Sequence, residues 1–202
     1  MKILSLVVGF YKKLYFVFLN VFKSNLIHPS SVMIFGKGVV ISEGGLRIKA
    51  RGMIDLSTGI LKFSNDVWVN HDVEFAPSSL IEIGSGTTIQ KRTTINGNVS
   101  IGRGCIIAPN VFISSGTHIF KEYPELSIRE QEARVALEGR TNEFDKRIHI
   151  GDDVWLGINV VIMPGVTIGN GVVVGANSVV TKNIGNNEIV VGIPAKKISV
   201  RM

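Results

Sequence analysis

Apolar residues recur at every sixth position over two long stretches of this 202-residue chain. A period of six fits neither the 3.6-residue turn of an α-helix nor the two-residue alternation of a simple strand, so it indicates a repeat architecture. A repeat fixes the direction of nearly every side chain, so core and surface positions can be predicted from the sequence. The first stretch comprises Ile83, Ile89, Ile95, Ile101, Ile107, Ile113 and Ile119, and the second comprises Ile150, Leu156, Ile162, Ile168, Val174 and Val180.

Each six-residue unit is predicted to be a very short strand followed by a corner. Small or apolar residues stand two positions before many repeat residues, as Val154 does before Leu156, and this spacing places both side chains on one face of a strand. Residues of tight turns lie between these pairs, as in Gly169-Asn170-Gly171. Three such strands make one triangular coil, and stacked coils pair in parallel. The predicted fold is therefore all-β, a parallel β-helix of hexapeptide repeats.

The pattern continues upstream in an irregular form. Ile48, Ile54 and Ile60 keep the six-residue spacing, and Val67 and Val73 continue it one position out of step. Because the terminal coils of a solenoid are usually irregular, we interpret residues 32–82 as the first coils of the same solenoid.

Composition narrows the class of protein. The chain has the length of one globular domain, and its single cysteine, Cys105, stands at an inward repeat position with no partner for an internal disulfide, which suits a reducing cytoplasm. The formal charge is +6, and the basic residues are scattered rather than interleaved with aromatic side chains, so nucleic acid is not an expected partner. A phosphate-rich small molecule is an adequate partner for this excess charge.

Residues 1–27 contain no acidic side chain and are predicted to form an amphipathic helix. Lys12 and Lys13 interrupt the apolar run too early for a transmembrane span, and no small-residue cleavage site follows, so a secretory signal is not expected. Two interpretations stay open. Residues 1–24 lie on a membrane surface, which would place the protein at the inner face of the membrane, or the helix packs on the solenoid or on a sister subunit.

The repeat is interrupted between Ile119 and Ile150, so the predicted solenoid domain of residues 28–200 contains an inserted loop at 120–147. Within the loop, Pro124 near the start and Gly139 at the end predict a short helix. A long excursion from a regular solenoid is more often functional than accidental, so we predict that this loop borders the active site.

His118 stands at the mouth of the loop. It lies between Thr117 and Ile119, which are both predicted to face inward, so the imidazole is predicted to project outward. Trp155 has the equivalent outward position in the second run of repeats. His149 also faces outward, where a solvated role is expected, and it is the second candidate for a catalytic base.

These motifs resemble those of the hexapeptide-repeat O-acetyltransferases, which include the galactoside, maltose and capsule or lipopolysaccharide acetyltransferases. The resemblance covers about residues 83–200 and is most specific from Val154 to Lys196. The segments that carry it are Ile101-Gly102, Ile107-Ala108-Pro109-Asn110-Val111, Ser115-Gly116-Thr117-His118, Ile150-Gly151-Asp152-Asp153-Val154-Trp155-Leu156-Gly157, Pro164-Gly165-Val166-Thr167-Ile168-Gly169 and Gly192-Ile193-Pro194-Ala195-Lys196.

The resemblance implies a left-handed β-helix, a homotrimer, and acetyl-CoA bound as co-substrate in the cleft between adjacent solenoids. It implies that His118 is the catalytic base. The residues it places beside the cofactor are Trp155, Gly157, Ala176, Thr181, Lys182 and Lys196. In several relatives an asparagine assists the histidine, and Asn96 and Asn98 are the candidates for that role here. The inserted loop is longer than that of the sugar enzymes.

The expected activity is transfer of an acetyl group to a hydroxyl of a sugar or of an envelope polysaccharide precursor, with a neutral imidazole as the proton acceptor. The alternatives are an N-acetyltransferase acting on an amino sugar or a nucleotide-linked amino sugar, and a small-molecule (xenobiotic) acetyltransferase. A zinc hydratase would need three histidines around the metal, and His118 has no second histidine at a repeat-related spacing, so no metal site is predicted. A non-catalytic scaffold would leave the outward His118 and Trp155 without a role.

Overall fold

The structure is a computed structural model that describes residues 25–28 and 31–202. Over these residues the chain winds into a parallel β-solenoid, and each coil contributes strands to three faces. The first face contains β1 (Leu26–Ile27), β4 (Arg47–Ile48), β7 (Trp68–Val69), β9 (Thr88–Ile89), β11 (Ile106–Ile107), β14 (Trp155–Leu156), β17 (Val173–Val174) and β19 (Glu188–Gly192), and β20 (Ala195–Val200) closes it as an antiparallel partner of β19.

The second and third faces are joined by two long strands that turn the corner between them. The second face contains β2 (Val32–Phe35), β5 (Met53–Leu56), β12 (Phe112–Ser114), β15 (Val161–Ile162), β18 (Val179–Val180) and the first halves of β8 (Glu74–Ile83) and β10 (Thr94–Ile101). The third face contains β3 (Val39–Ser42), β6 (Ile60–Phe63), β13 (Ile148–Ile150), β16 (Thr167–Ile168) and the second halves of β8 and β10.

The six-residue pattern produces the interior of the solenoid. Leu156 pairs in parallel with Val174, and Ile162 pairs with Val180, so each strand stacks on the strand three hexads further along the chain. The repeat residues stack into one continuous buried core that also contains Cys105. Burial raises the pKa of the Cys105 thiol, so this side chain is a core residue rather than a nucleophile. The predicted all-β parallel solenoid of hexapeptide repeats is confirmed.

Left-handed backbone at one corner of the solenoid explains its asparagines. Asn110, Asn159 and Asn177 have φ values of 60°, 60° and 57°, a region that asparagine tolerates better than most residues. Their amides stack in line, because Nδ2 of Asn110 donates to Oδ1 of Asn159 at 2.9 Å and Nδ2 of Asn159 donates to Oδ1 of Asn177 at 2.9 Å. The same residue type therefore turns the chain and ties three successive coils together.

The early coils correct one predicted core position. Ile60 was expected to face inward, but 40% of its surface is exposed, whereas Leu61 and Phe63 are fully buried. The cause lies at the corner between the second and third faces. Residues 57–59 separate β5 from β6 there, whereas β10 crosses the same corner as one uninterrupted strand. Extra corner residues shift the inward positions, and this shift also explains why Val67 and Val73 continue the pattern out of step.

The N-terminal boundary also differs from the prediction. The helix was predicted to extend over residues 1–27, but Leu26–Ile27 form strand β1, which pairs in parallel with Arg47–Ile48. The solenoid therefore begins at least two residues before position 28. The rest of the predicted helix, residues 1–24, lies outside the described residues. In the part of the chain that is described, no helix is long and apolar enough to span a membrane.

The insertion leaves the coil after β12 and returns at β13. It contains one helix, α1 (Ile128–Leu137), and a short 3-10 helix (Thr141–Phe144). The helix begins at Ile128, and its N-cap Ser127 forms a reciprocal capping box with Glu130 that satisfies two backbone N–H groups, so the predicted start near Pro124 was wrong. Gly139, at φ 70°, follows its end as predicted. Gln131 and Val135 are the buried residues of the helix.

We predict that Leu61→Ala destabilises the protein by about 2–5 kcal/mol, because it removes a fully buried side chain and leaves a cavity between coils. The neighbouring Ile60→Ala is the matched control and should cost less than about 1 kcal/mol, because its side chain is half-exposed. The free energy of unfolding, measured by denaturant titration, checks both. Equal losses would contradict the register described for the early coils.

Candidate active site at the break in the solenoid

Both ends of the insertion are fastened to the solenoid at one point. Gly116 and Asp145 form an isolated antiparallel bridge, and the N–H of Lys146 donates to the carbonyl of Ser115 at 2.9 Å. The carboxylate of Asp145 accepts hydrogen bonds from the hydroxyl groups of Ser115 and Ser78. The loop is therefore anchored at its base, and the residues that follow Gly116 have defined positions.

His118 lies two residues beyond this anchor, with 73% of its side chain exposed. Its outward direction was predicted correctly, but one reason for it was wrong. Thr117 is exposed rather than inward, because the chain has already left the coil at Gly116 and strand alternation no longer applies. Ile119, in contrast, is buried as expected.

The insertion supplies a carboxylate partner for this histidine. Nδ1 of His118 lies 2.5 Å from Oε1 of Glu132, which α1 carries, and the other carboxylate oxygen of Glu132 accepts a hydrogen bond from Arg129 at 3.1 Å. The hydrogen bond from His118 is the main cause of a lowered Glu132 pKa. An ionised carboxylate can only accept, so Nδ1 is the donor in this contact, and Nε2 is the nitrogen that carries the lone pair whenever the imidazole is neutral.

An apolar cavity of about 490 Å³ lies beside His118 on the second face. Phe112, Met163 and Pro164 form part of its wall, together with His118 and Gly116. The next coil continues this face, because the N–H of Met163 donates to the carbonyl of Val180 at 3.0 Å. The predicted cofactor residues Thr181 and Lys182 follow directly and are exposed, so they lie further along the face that carries the cavity.

Two other predicted cofactor residues lie on the first face. Trp155 is 51% exposed and lines a separate cavity of about 350 Å³ with Ile106 and Arg201. Lys196 lies on β20, opposite Val191 of β19, and is exposed. Within one chain the structure therefore does not bring Trp155 and Lys196 into the cavity that contains His118.

Gly157 and Ala176 meet at the corner between these two faces. A Cβ atom on Gly157 would come within 2.7 Å of the backbone nitrogen of Ala176 in the next coil, so close stacking requires glycine at this position. Ala176 is exposed. This contact accounts for the glycine sterically and does not depend on a ligand.

The sequence did not identify Glu132 as a partner of His118. The capping-box pattern of Ser127 and Glu130 could have placed Glu132 on a helix, but its contact with a histidine 14 residues earlier depends on the path of the loop. Of the two candidate asparagines, Asn96 lines a second cavity of about 300 Å³ that Glu132 also lines, whereas Asn98 does not line it.

The remaining candidates have simpler surroundings. His149 is exposed, and its Nδ1 lies 2.8 Å from the hydroxyl of Ser100 on the third face. Within residues 25–28 and 31–202, no three His, Cys, Asp or Glu side chains are grouped so that they could hold a metal ion.

Related sequences carry acetyltransferase names. The chain is 39% identical over 155 residues, 76% of its length and 65% of the other protein, to the Escherichia coli K12 protein named "Putative lipopolysaccharide biosynthesis O-acetyl transferase WbbJ". It is 36% identical over 135 residues to the galactoside O-acetyltransferase of the same organism, covering 66% of this chain and 60% of that enzyme. The chain thus spans slightly less than two thirds of the length of these relatives.

Solved structures share the solenoid. The polySia-specific acetyltransferase NeuO has a TM-score of 0.59 at 23% identity, over 86% of this chain and 88% of that one. The N-acyltransferase AntD from Bacillus cereus has a TM-score of 0.56 at 18% identity, over 86% and 85% of the two chains. Residues 80–115 and 147–182 match the family model "Bacterial transferase hexapeptide (six repeats)". These two regions therefore belong to the bacterial transferase hexapeptide family, and the predicted resemblance to the hexapeptide-repeat acetyltransferases is confirmed.

Proposed function

We propose that this chain is an acetyl-CoA-dependent O-acetyltransferase that acts on a hydroxyl of a sugar or of an envelope polysaccharide precursor, with His118 as the general base. The observation that carries the proposal is the hydrogen bond between Nδ1 of His118 and Glu132, beside a cavity at the break in the solenoid. The names of the relatives support a carbohydrate acceptor, because one is a galactoside O-acetyltransferase and another is assigned to lipopolysaccharide biosynthesis.

The geometry supports direct transfer with His118 as the proton carrier. Glu132 holds the imidazole through Nδ1, so Nε2 can accept the proton of a hydroxyl as its oxygen attacks the thioester carbonyl carbon. Collapse of the tetrahedral intermediate breaks the carbon–sulfur bond, and the proton on Nε2 passes to the departing thiolate. The products are an acetyl ester and free CoA. The enzyme mainly generates the nucleophile and holds two substrates together.

The second face has the chemistry that acetyl-CoA requires. Phe112 and Met163 present apolar surface for the pantetheine arm next to His118, and Lys182 stands one coil further on, where phosphate groups would lie. A hexapeptide-repeat acetyltransferase of Vibrio cholerae, which has a similar fold at a TM-score of 0.50, was solved as a complex with acetyl coenzyme A. In this proposal Thr181 and Lys182 contact the cofactor from the same chain as His118.

A homotrimer belongs to the same proposal. The monomer exposes large apolar side chains on both faces, among them Ile106 and Trp155 on the first and Phe112 and Met163 on the second. Packing the first face of one subunit near the second face of the next would bury these side chains. It would also place Trp155 and Lys196 of one copy across a cleft from His118 of another.

The test of the proposed function is a transfer assay on the purified protein with monosaccharide glycosides, amino sugars and nucleotide sugars, with free CoA as the readout. Mild alkali then distinguishes an O-acetyl ester from an N-acetyl amide, because it cleaves the ester and leaves the amide intact. Acetyl-CoA-dependent formation of an alkali-labile product is expected. Alkali-stable product alone would identify an N-acetyltransferase, and no transfer to any hydroxyl or amine would refute the proposal.

We predict that His118→Ala lowers turnover by about 10²–10⁴-fold, because it removes the proton acceptor but no buried contact. The KM for acetyl-CoA should change by no more than a few-fold, as expected for a group that acts in the transition state. Steady-state kinetics at saturating acceptor check this. His149→Ala is the control and should retain near wild-type turnover. Retention of a third or more of wild-type turnover by the His118 variant would place the base elsewhere.

The same substitution should raise the pKa of Glu132, because the hydrogen bond from His118 is the largest cause of its depression. A carboxyl-carbon NMR titration measures this pKa directly. Arg129→Ala is the control and should raise it less, since Arg129 contributes less than His118. An unchanged Glu132 pKa in the His118 variant would contradict the hydrogen bond on which the proposed orientation of the base depends.

Lys196 is proposed to meet the 3′-phosphate of CoA. Lys196→Glu should then raise the KM for acetyl-CoA by about tenfold, the value of one charge-assisted hydrogen bond, and should have little effect with desphospho-acetyl-CoA, which lacks that phosphate. The same substitution at the adjacent Lys197 is the control. It should have little effect on the KM for either form of the cofactor, because the ammonium of Lys197 pairs with Glu188 at 2.9 Å. Equal effects of Lys196→Glu on both forms of the cofactor would remove Lys196 from this role.

A further inference from the structure

The first described coil of the solenoid stacks on the second coil through three strand pairs. Within the described part of the chain, β1 pairs with β4 alone, β2 with β5 alone and β3 with β6 alone, so these strands are the last of their faces. At the opposite end, β20 returns antiparallel to β19. An open end would expose core side chains and a row of backbone hydrogen-bonding groups, so the ends of a solenoid need a cap.

The inward residues of this first coil are buried all the same. Ile27, Val40 and Ser42 lie opposite core residues of the second coil, and Asn25 stands two positions before Ile27 on the same face of the chain. No more than 7% of the surface of any of these four residues is exposed. The second coil covers them from one side. Exposure this low requires that another part of the same chain covers them from the other side.

One long segment of the chain adjoins this end. Outside the described residues the sequence contains residues 1–24 and the pair Pro29-Ser30, and two residues are too few to cover a triangular coil. Residues 1–24 join the coil at Asn25, whose Oδ1 accepts hydrogen bonds from the hydroxyl of Ser42 at 3.1 Å and from the N–H of Leu46 at 2.9 Å. One side of a coil is about 20 Å of strand, whereas a 24-residue helix is about 36 Å long, so the predicted helix is long enough to cross the end.

The composition of residues 1–24 suits burial on a protein core. In the predicted helix the polar residues form a stripe over about a third of the circumference, and nearly all other positions are apolar. A helix that lies in a membrane surface needs a broad, strongly polar face. The residues of the stripe are Lys2, Ser5, Gly9, Lys12, Lys13, Asn20, Lys23 and Ser24.

We propose that residues 1–24 cover the N-terminal end of the solenoid as its cap, with their apolar face on the end coil that contains Ile27 and Val40. The segment is then an integral part of the solenoid and does not serve as a membrane anchor. The proposal is independent of the acetyl-transfer reaction. The competing occupant of the segment is an anionic membrane, because Arg47 and Lys49 line a groove of about 990 Å³ beside the exposed Leu26.

The experiment compares two full-length double variants that add the same charge. Leu14→Asp with Phe18→Asp changes the apolar face of the predicted helix, and Ser5→Asp with Asn20→Asp changes its polar stripe. Amide hydrogen exchange is measured for three N–H groups of the first coil that donate to the second. These are the N–H groups of Leu26 at 2.7 Å, His28 at 2.9 Å and Val39 at 3.1 Å.

The apolar-face variant should exchange these three amides at least tenfold faster, because loss of the cap lets the end coil open locally. The polar-stripe variant should change them by no more than about twofold. The amides of Trp155 and Gly157, several coils away, are the internal reference and should keep their rates in both variants. Equal effects of the two variants on the first coil would overturn the proposal.

A vesicle arm separates the cap from a membrane anchor. Both variants should reduce sedimentation with phosphatidylglycerol vesicles to the same extent, because they change the charge equally and a buried apolar face does not enter the bilayer. Selective loss of vesicle binding in the apolar-face variant, with unchanged exchange in the first coil, would identify a membrane anchor and overturn the proposal.

A wild-type measurement covers the case in which the apolar-face variant does not fold. Trypsin can cleave after Lys12 and Lys13, and a segment packed on the solenoid should resist cleavage until the end coil opens. Removal of residues 1–13 should therefore be slow and should lower the melting temperature of the remaining chain. Rapid removal of these residues with an unchanged melting temperature would overturn the proposal.

Discussion

Backbone hydrogen bonding between successive coils is the interaction on which the rest of the molecule depends. The N–H of Trp155 donates to the carbonyl of Val172 at 2.9 Å, and the N–H of Gly157 donates to that of Val174 at 2.8 Å, so each short strand is held by its neighbours in the stack. A strand of two residues has no independent stability. A shift of one residue would turn every inward side chain to the surface, so the hydrophobic interior and the hydrogen-bond register select the same pairing.

This dependence on neighbouring coils explains how the solenoid tolerates a large insertion. Ile107 still pairs with Leu156, and the N–H of Phe112 still donates to the carbonyl of Val160 at 2.9 Å, although the insertion separates these partners in sequence. The coil closes as if the loop were absent. The entropic cost of closing a loop grows slowly with its length, so a long functional segment can be accommodated at one corner. The faces of the solenoid then orient the side chains that the insertion contributes.

The insertion borders two cavities near His118. On the second face the walls are apolar, with Phe112 and Met163, and they suit the arm of a thioester cofactor. On the side of the insertion the walls carry Glu132 and Asp145. The two cavities share Ser114, Gly116 and Thr117, and His118 lines only the one on the second face.

The sequence by itself determined the solenoid, the buried position of Cys105 and the outward direction of Trp155, because a short-range period fixes which side chains face inward wherever the coils are regular. The outward direction of His118 was predicted correctly, but the period does not explain it, because the chain has left the coil at Gly116. It did not determine that Leu61 rather than Ile60 is buried, because the extra residues of that corner do not follow the period. Only the tertiary structure brought Glu132 to His118 and placed Asn96 in the wall of a cavity that Glu132 also lines. Those contacts depend on the path of a non-repeating loop and on stacking between coils, and neither is encoded in a local pattern.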